Sequence, residues 1–499
     1  MKRRKIWAGL AVVIFALVVL SIPSPERVPP QGVAGEPFTW KQDKTWDAIE
    51  AYFREAKGIG CEGLKSRLDK GLKAGNRDLD LLLKSQRKPD DPVFSELEKI
   101  TFGLGTMVAV CPARLGEYVD LVTRTRNVLK VQSRQWDLQN REVRNRLYRL
   151  LYGGRMALEE VMLQAPPGSY AGLVKGENEP SVTPPFEMRG GTLRSGDILV
   201  SRGGAPTSAL IARGNDYPGN FSHIALLHVD EKTGVPSIME AHIERGVVVS
   251  TLEEYIKDVK LRVMILRLRA DLPQMKADPM LPHKAAQKAL AEAKARHIPY
   301  DFEMDFRDHS LHFCSEVASA AYQPFGIDLW QWTTHMSAPG VVRWLSDFGV
   351  THFETQAPAD LEYDPQLTVV AEWRDPEALW QDHVDSAIVE AMLEGADEGD
   401  RLTYPWYLLA PGRIAKAYCV VLNQFGGVGP IPEGMDVPAA LRNLALGSRH
   451  KAIKEKVLGR AAAFQEKQGY RPPYWELVRM ANQSRVEIGG TSPQPAASR

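Results

Sequence analysis

The sequence is poor in cysteine and has no excess of charge. It contains four cysteines in 499 residues, too few for a scaffold held together by disulfides. Lysine plus arginine and aspartate plus glutamate number 62 each, and the missing basic excess argues against a nucleic-acid partner. The zinc spacings Cys-x-x-Cys and His-Glu-x-x-His are also absent, so we expect no metal or other cofactor.

The N-terminus combines positive charge with a long apolar run. Four basic residues, 2–5, precede the uncharged residues 6–22, a pattern typical of a secretory signal or a short transmembrane helix. The run is long for a signal core and no small-x-small cleavage site follows, which favours an uncleaved anchor over a cleaved, secreted chain. Because basic residues stay on the cytoplasmic side, we expect an inner-membrane protein whose remaining chain faces the periplasm or the outside.

Changes in residue composition and periodicity along the chain predict four regions. Residues 1–29 are the anchor or signal segment, 30–175 an α-helical domain, 176–375 a catalytic domain, and 376–499 an α-helical region with a disordered tail. Pro- and Gly-rich residues 165–196 separate the first helical pattern from a run of short strands. Cys61 and Cys111 both fall in the first helical region, where they either pair as a disulfide in an oxidising compartment or remain two buried thiols.

The catalytic region alternates short β runs with helical segments, which predicts an α+β fold. The predicted strands are 197–201, 221–229, 237–243, 246–250, 263–268 and 367–370, and the predicted helices are 282–296, 309–322 from its cysteine onward, and 338–348. Successive strands joined by short turns favour an antiparallel sheet or a small barrel.

Cys314 is the candidate nucleophile. Val317, Ala318, Ala321 and Tyr322 recur at helical spacing, which predicts a helix with the cysteine in its first turn. There the unpaired backbone N–H groups and the helix dipole favour a thiolate, the reactive form of cysteine. A lone cysteine is nevertheless more often a small buried residue, so the case depends on a base elsewhere in the chain.

Two predicted strands supply that base and its partner. His223 shares a strand face with Ala225, and Glu240 and His242 share a face of the next strand, because side chains alternate with period two. Adjacent strands can therefore place His223 beside Glu240, whose carboxylate would fix the imidazole tautomer and stabilise its cation. His242 is the alternative partner for the base.

Five short motifs occur in one order and carry a family resemblance. They are Ser-Gly-Asp-Ile-Leu at 195–199, Ser-His-Ile-Ala at 222–225, Met-Glu-Ala at 239–241, Tyr-Asp-Phe at 300–302 and Phe-Cys-Ser-Glu-Val at 313–317. This order resembles the permuted papain-like branch of the NlpC/P60 superfamily, close to the YiiX/YebB-like enzymes, in which histidine precedes cysteine. The resemblance implies Cys314 as nucleophile, His223 as base and Glu240 as third member. His242 stays a possible third member, and Tyr300 is expected to line the pocket or to donate to the oxyanion.

These features predict a membrane-anchored, outward-facing cysteine hydrolase of the amidase or peptidase type that works through a thioester. The expected substrates are cell-wall peptides or lipid amides and esters. Their acyl group would pass to the cysteine and then to water or another acceptor. One alternative is a non-catalytic envelope protein that binds or scaffolds through a papain-like domain. A second is a metal-dependent hydrolase, because Asp305, Asp308, His309 and His312 crowd the loop before Cys314.

Overall fold

The computed structural model describes residues 7, 14–15, 17–40, 43–166 and 168–490. The predicted anchor at residues 6–22 lies largely outside this part of the chain, and so do residues 491–499 of the predicted tail. No helix within the described ranges is long and apolar enough to cross a bilayer.

Between residues 43 and 164, four helices pack around a leucine-rich core. They are α1 (Asp43–Lys84), α2 (Pro92–Val108), α3 (Leu115–Gln132) and α4 (Arg141–Gln164). Asp91 caps α2 by accepting a hydrogen bond from the N–H of Val93, and Asn140 caps α4 in the same way. Cys61 of α1 and Cys111, just after α2, form a disulfide, so the paired alternative is the one found.

The middle of the chain forms a seven-stranded antiparallel sheet with the order β1-β11-β8-β4-β5-β6-β7. Its strands are β1 (Leu173–Lys175), β4 (Ile198–Gly203), β5 (His223–Val229), β6 (Pro236–His242), β7 (Gly246–Ser250), β8 (Lys260–Leu268) and β11 (Leu367–Arg374). A separate hairpin pairs β2 (Pro185–Met188) with β3 (Gly191–Arg194). Among the described residues β1 and β7 have one neighbour each, so the predicted sheet is found and the predicted small barrel is not.

Helices cover the sheet on both faces, which confirms the α+β class. They are α5 (Pro206–Arg213), α6 (Leu252–Lys257), α7 (Pro273–Ala277), α8 (Leu281–Ala295) and α9 (Glu316–Tyr322). Ile224 and Leu226 of β5 face a core shared with α8 and α9. Ala225 and Leu227 face the opposite core, which contains Tyr255 of α6. The strand alternation read from the sequence is therefore the one observed.

The last part of the chain is mainly helical. Its elements are the two-residue strands β9 (Thr334–His335) and β10 (Glu354–Thr355), then α10 (Pro339–Phe348), α11 (Leu379–Asp397), α12 (Leu409–Gln424), α13 (Val437–Gln468) and α14 (Tyr474–Glu487). Helices α10, α11, α13 and α14 share one apolar core. β1 ends at Lys175, one residue before the predicted start of the catalytic region, and pairs with β11. The division of the chain into four regions stays a prediction.

A buried ion-pair cluster joins the sheet to both sets of helices. Arg262 of β8 lies 2.5 Å from Glu159 of α4 and 2.6 Å from Asp382 of α11. Arg202 of β4 approaches the same Asp382 at 3.3 Å, and His383 lies 3.0 Å from Glu159. All five side chains are buried. Because an isolated buried charge is strongly unfavourable, each of these groups depends on its partners.

A second buried cluster includes Glu372 of β11, the strand that pairs with β8. Arg155 of α4 lies 2.6 Å from Glu362 and 3.3 Å from Glu372 of β11. Arg126 of α3 approaches Glu372 at 2.8 Å. The neighbouring guanidinium groups hold the pKa of Glu372 well below its usual range, although burial alone would raise it.

We expect Arg262→Met to lower the free energy of unfolding by about 3–5 kcal/mol, because it leaves Glu159 and Asp382 buried with one cation fewer. The matched control is Arg296→Met, which breaks a solvent-exposed pair with Glu292 and is expected to change stability by less than about 1 kcal/mol. Denaturant unfolding of the full chain measures both. Equal effects of the two changes would contradict a structural role for the buried cluster.

Candidate active site

The candidate residues gather at one end of the sheet. His223 begins β5 and pairs with Ser201 of β4, and His242 ends β6. Ala225 pairs with Glu240, so continuing the register sets His223 opposite His242, whose ring centroid lies 5.9 Å away. The side chains of His223 and Glu240 therefore emerge on the same face of two neighbouring strands, as the alternation predicts.

The imidazole of His223 is held by a carboxylate. Its Nε2 lies 2.9 Å from Oε2 of Glu240 in a hydrogen bond, which leaves Nδ1 as the other ring nitrogen. Burial lowers the pKa of His223, and the Glu240 hydrogen bond opposes that shift. The ring is therefore neutral near pH 7, and in the tautomer that donates from Nε2 to Glu240 its Nδ1 is free to accept a proton.

Glu240 is buried and is the centre of the cluster. Its Oε1 accepts a 2.8 Å hydrogen bond from the hydroxyl of Ser250 and lies 3.1 Å from Nε2 of His242. Lys260 Nζ lies 4.0 Å from its Oε2. Burial would raise the pKa of this carboxyl, but the contacts with His223 and His242 hold the pKa well below its usual range. Glu240 is therefore an anion that can stabilise an imidazolium.

Cys314 lies in the turn before α9 and not in its first turn, because the helix begins at Glu316. The prediction that the helix start lowers the pKa of this thiol is also wrong. Cys314 is buried, and burial raises its pKa to about 11, although nearby backbone N–H groups of Ile224 and Ser315 oppose the shift. Removing the thiol from water disfavours the thiolate more than the short helix favours it.

The sulfur of Cys314 lies against the start of β5. Its thiol donates a 3.8 Å hydrogen bond to the carbonyl of Ser222, the residue before His223. Cys314, His223, His242 and Tyr300 line one cavity of about 520 Å³. The predicted nucleophile, base and pocket residues thus line the same cavity, and Glu240 is hydrogen-bonded to the predicted base.

The rest of the cavity is largely apolar and is built from distant parts of the chain. Its apolar lining includes Leu210, Ile243, Phe302, Met336, Leu345, Phe348, Val350 and Met435. Tyr300 is part of this wall, and burial raises the pKa of its hydroxyl well above its usual range, so the phenol stays protonated at neutral pH. Charged residues, among them Glu244, Asp258 and Lys260, line other parts of the same cavity.

Two contributors to the site were not identified from the sequence. Ser250 ends the predicted strand 246–250 and Lys260 lies before the predicted strand 263–268, yet both side chains approach Glu240. The sequence signal for Ser250 is its position at the end of β7, which places it across from Ile238 and diagonal to Glu240. For Lys260, no local signal exists, because β8 reaches the site by pairing with β4.

The loop that suggested a metal has a different arrangement from the one expected. Asp308 accepts a 3.0 Å hydrogen bond from the N–H of Ser310 and so closes a local turn. The potential ligand atoms that do gather are those of His309, His312 and Glu316, with a second group at His223, Glu240 and His242; within each group the atoms lie within 4.8 Å of one another. Both groups have the donor types that bind transition metals.

Comparison with known proteins identifies the central segment. Residues 192–371 match the family described as permuted papain-like amidase enzyme, YaeF/YiiX, C92 family. The segment is similar to that family, and the predicted resemblance is confirmed. The family supports a cysteine hydrolase of the amidase type and leaves residues 1–191 and 372–499 outside the match.

A solved structure is similar to part of the chain. It is the crystal structure of the metalloprotein yiiX from Escherichia coli O157:H7, with 23% identity and a TM-score of 0.28, covering 36% of this chain and 97% of the other. Among curated proteins, none matches the chain.

We expect alkylation of Cys314 by iodoacetamide to be slow at pH 7 and to accelerate toward an apparent pKa of about 11, because only the thiolate reacts. Mass spectrometry of the labelled peptide measures the rate at each pH and separates Cys314 from Cys419. A rate that is already maximal at pH 6 would instead indicate a thiolate–imidazolium pair with His223 and would contradict a neutral resting site.

Proposed function

We propose that the protein is a cysteine hydrolase of the amidase or peptidase type, in which Cys314 is the nucleophile, His223 the base and Glu240 the residue that orients the base. One observation carries the proposal. The Cys314 sulfur and the His223 ring line the same cavity, and Glu240 hydrogen-bonds the ring nitrogen at 2.9 Å. This is the nucleophile, base and orienting carboxylate that thiol catalysis requires.

Because Cys314 and His223 are both uncharged at rest, the first step includes a proton transfer between them. The proton leaves Sγ of Cys314 for Nδ1 of His223 as the sulfur attacks the substrate carbonyl carbon, and Glu240 stabilises the imidazolium that forms. The tetrahedral intermediate then expels the amine or alcohol, which takes the proton from Nδ1, and a thioester remains on Cys314. Water, deprotonated by the same imidazole, attacks the thioester and releases the acid and the thiol. Another acceptor in place of water would make the reaction an acyl transfer.

The proposal includes an outward-facing, membrane-anchored location. It rests on the basic residues 2–5 followed by the apolar residues 6–22 and on the Cys61–Cys111 disulfide, which is typical of an oxidising compartment. Peptides of the cell wall and acyl lipids are the two substrate classes available there.

We expect Cys314→Ala and His223→Ala each to lower kcat at least about a thousandfold on a library of acyl esters and amides. Glu240→Gln should lower kcat and move the acid limb of kcat/KM to lower pH, because the imidazolium loses its carboxylate and the pKa of His223 falls further. Steady-state kinetics as a function of pH measure these effects.

The control is His297→Ala, which removes an exposed histidine paired with Glu433 and should leave kcat unchanged. Full activity of Cys314→Ala would end the cysteine-hydrolase proposal, whereas no hydrolysis of any ester or amide by the unaltered protein would leave the non-catalytic envelope protein as the alternative.

A metal-dependent hydrolase is the second candidate, because His223, Glu240 and His242 form a compact donor group, two of whose members, His223 and His242, line the same cavity. The two candidates differ in their inhibitors. The thiol mechanism predicts complete loss of activity after alkylation of Cys314 and no loss after dialysis against a chelator. Inactivation by the chelator, reversed by added zinc, would favour the metal site.

A further inference from the structure

Helix α12 has the reverse of the pattern that a surface helix normally shows. Its solvent-exposed positions are Pro411, Ile414, Ala417, Tyr418, Val420, Val421 and Gln424, of which one is polar. A helix on a water-exposed surface places charged and polar residues on its outer face. The outer face of α12 therefore has the composition expected for contact with an apolar medium.

The apolar surface continues on both sides of the helix. Trp406 and Tyr407 precede α12, and Phe425 and Val428 follow it, all exposed, with Phe425 at 84%. Eight of the exposed large hydrophobic side chains lie between Trp406 and Val428. A continuous patch of this kind indicates a contact surface, whereas scattered single residues would not.

The two charged side chains of α12 make hydrogen bonds to neighbouring segments of the chain. Lys416 Nζ donates a 2.7 Å hydrogen bond to the carbonyl of Pro432. Arg413 donates to the carbonyl of Leu20 at 2.8 Å and to the hydroxyl of Ser24 at 3.1 Å. The helix thus lies against the end of the N-terminal apolar segment, where that segment would leave the bilayer.

We propose that the outer face of α12, together with Trp406, Tyr407 and Phe425, rests on the lipid bilayer that holds the N-terminal segment. The proposal rests on the membrane anchoring proposed above. Contact with the end of that segment favours a bilayer over a second copy of the chain as the occupant. Tyr and Trp at its edges are the side chains enriched where protein meets the lipid headgroups.

The position of the apolar α12 surface relative to the cavity indicates which substrate class can enter. Pro430, Pro432 and Met435, in the segment after α12, line the cavity that contains Cys314, and Pro430 is exposed. Docking of α12 therefore sets the rim of the cavity at the membrane surface. Of the two substrate classes, an acyl lipid that enters from the bilayer fits this placement and the apolar cavity wall.

The test places a photo-crosslinking amino acid, p-benzoylphenylalanine, at single positions of the full chain. The protein is reconstituted with vesicles of equal parts phosphatidylethanolamine and phosphatidylglycerol containing a trace of tritiated lipid. Tyr418 and Val421 are the test positions, with exposed fractions of 60% and 54%. Tyr52 of α1, 57% exposed, is the matched control. Irradiation should attach on the order of tenfold more tritium at the test positions than at Tyr52, because an interfacial helix buries its apolar face among the acyl chains.

The outcomes separate the two proposals. Equal labelling of Tyr418 and Tyr52 in protein that floats with the vesicles leaves the anchor standing and overturns docking. A protein–protein adduct at Tyr418 in place of lipid assigns the face to a second copy and also overturns docking. Protein that does not float with the vesicles overturns both anchor and docking. The labelling does not require catalysis, so loss of the hydrolase proposal leaves this result unaffected.

Discussion

The buried ion pairs between the sheet and the helices are the constraint on which the architecture depends. Arg262 of β8 is buried between Glu159 of α4 and Asp382 of α11, so one strand is tied to the helices that precede and follow the central sheet in sequence. Buried charges contribute little net stability compared with well-packed apolar groups, but an unpaired one is strongly unfavourable. The cluster therefore defines one arrangement of the helices on the sheet and disfavours others, because any slip of an element would leave a charge without its partner.

That arrangement also sets the candidate site. Arg202 of β4 pairs in register with Arg262, and its neighbour Ser201 pairs with His223 of β5. Adjacent residues of β4 therefore contact the ion-pair cluster and pair with the candidate base. Alternation then sends the Arg202 side chain and the side chain of the candidate base His223 to opposite faces of the sheet. Glu240 is held on the catalytic face by its own contacts, which keep it ionised despite burial. Two buried charge systems thus share the same strands without sharing a partner.

The sequence predicted the parts of the site that depend on local periodicity. Strand alternation placed His223 and Glu240 on matching faces, and the motif order identified the family that matches residues 192–371. The contributions of Lys260 and Ser250 depend on strand register, which a single sequence does not specify. The pKa of Cys314 was predicted in the wrong direction because local helix electrostatics can be read from the sequence, whereas burial comes from residues distant in sequence such as Ser222, whose carbonyl accepts the hydrogen bond of the thiol.

Burial explains why Cys314 and His223 are both uncharged at rest. It raises the pKa of the Cys314 thiol and lowers the pKa of the His223 imidazole, and both shifts oppose a preformed thiolate–imidazolium pair. The proton transfer therefore becomes favourable only when a carbonyl carbon is present to accept the developing charge of the sulfur. The apolar part of the cavity wall and the exposed apolar face of α12 both support the acyl-lipid substrate proposed above.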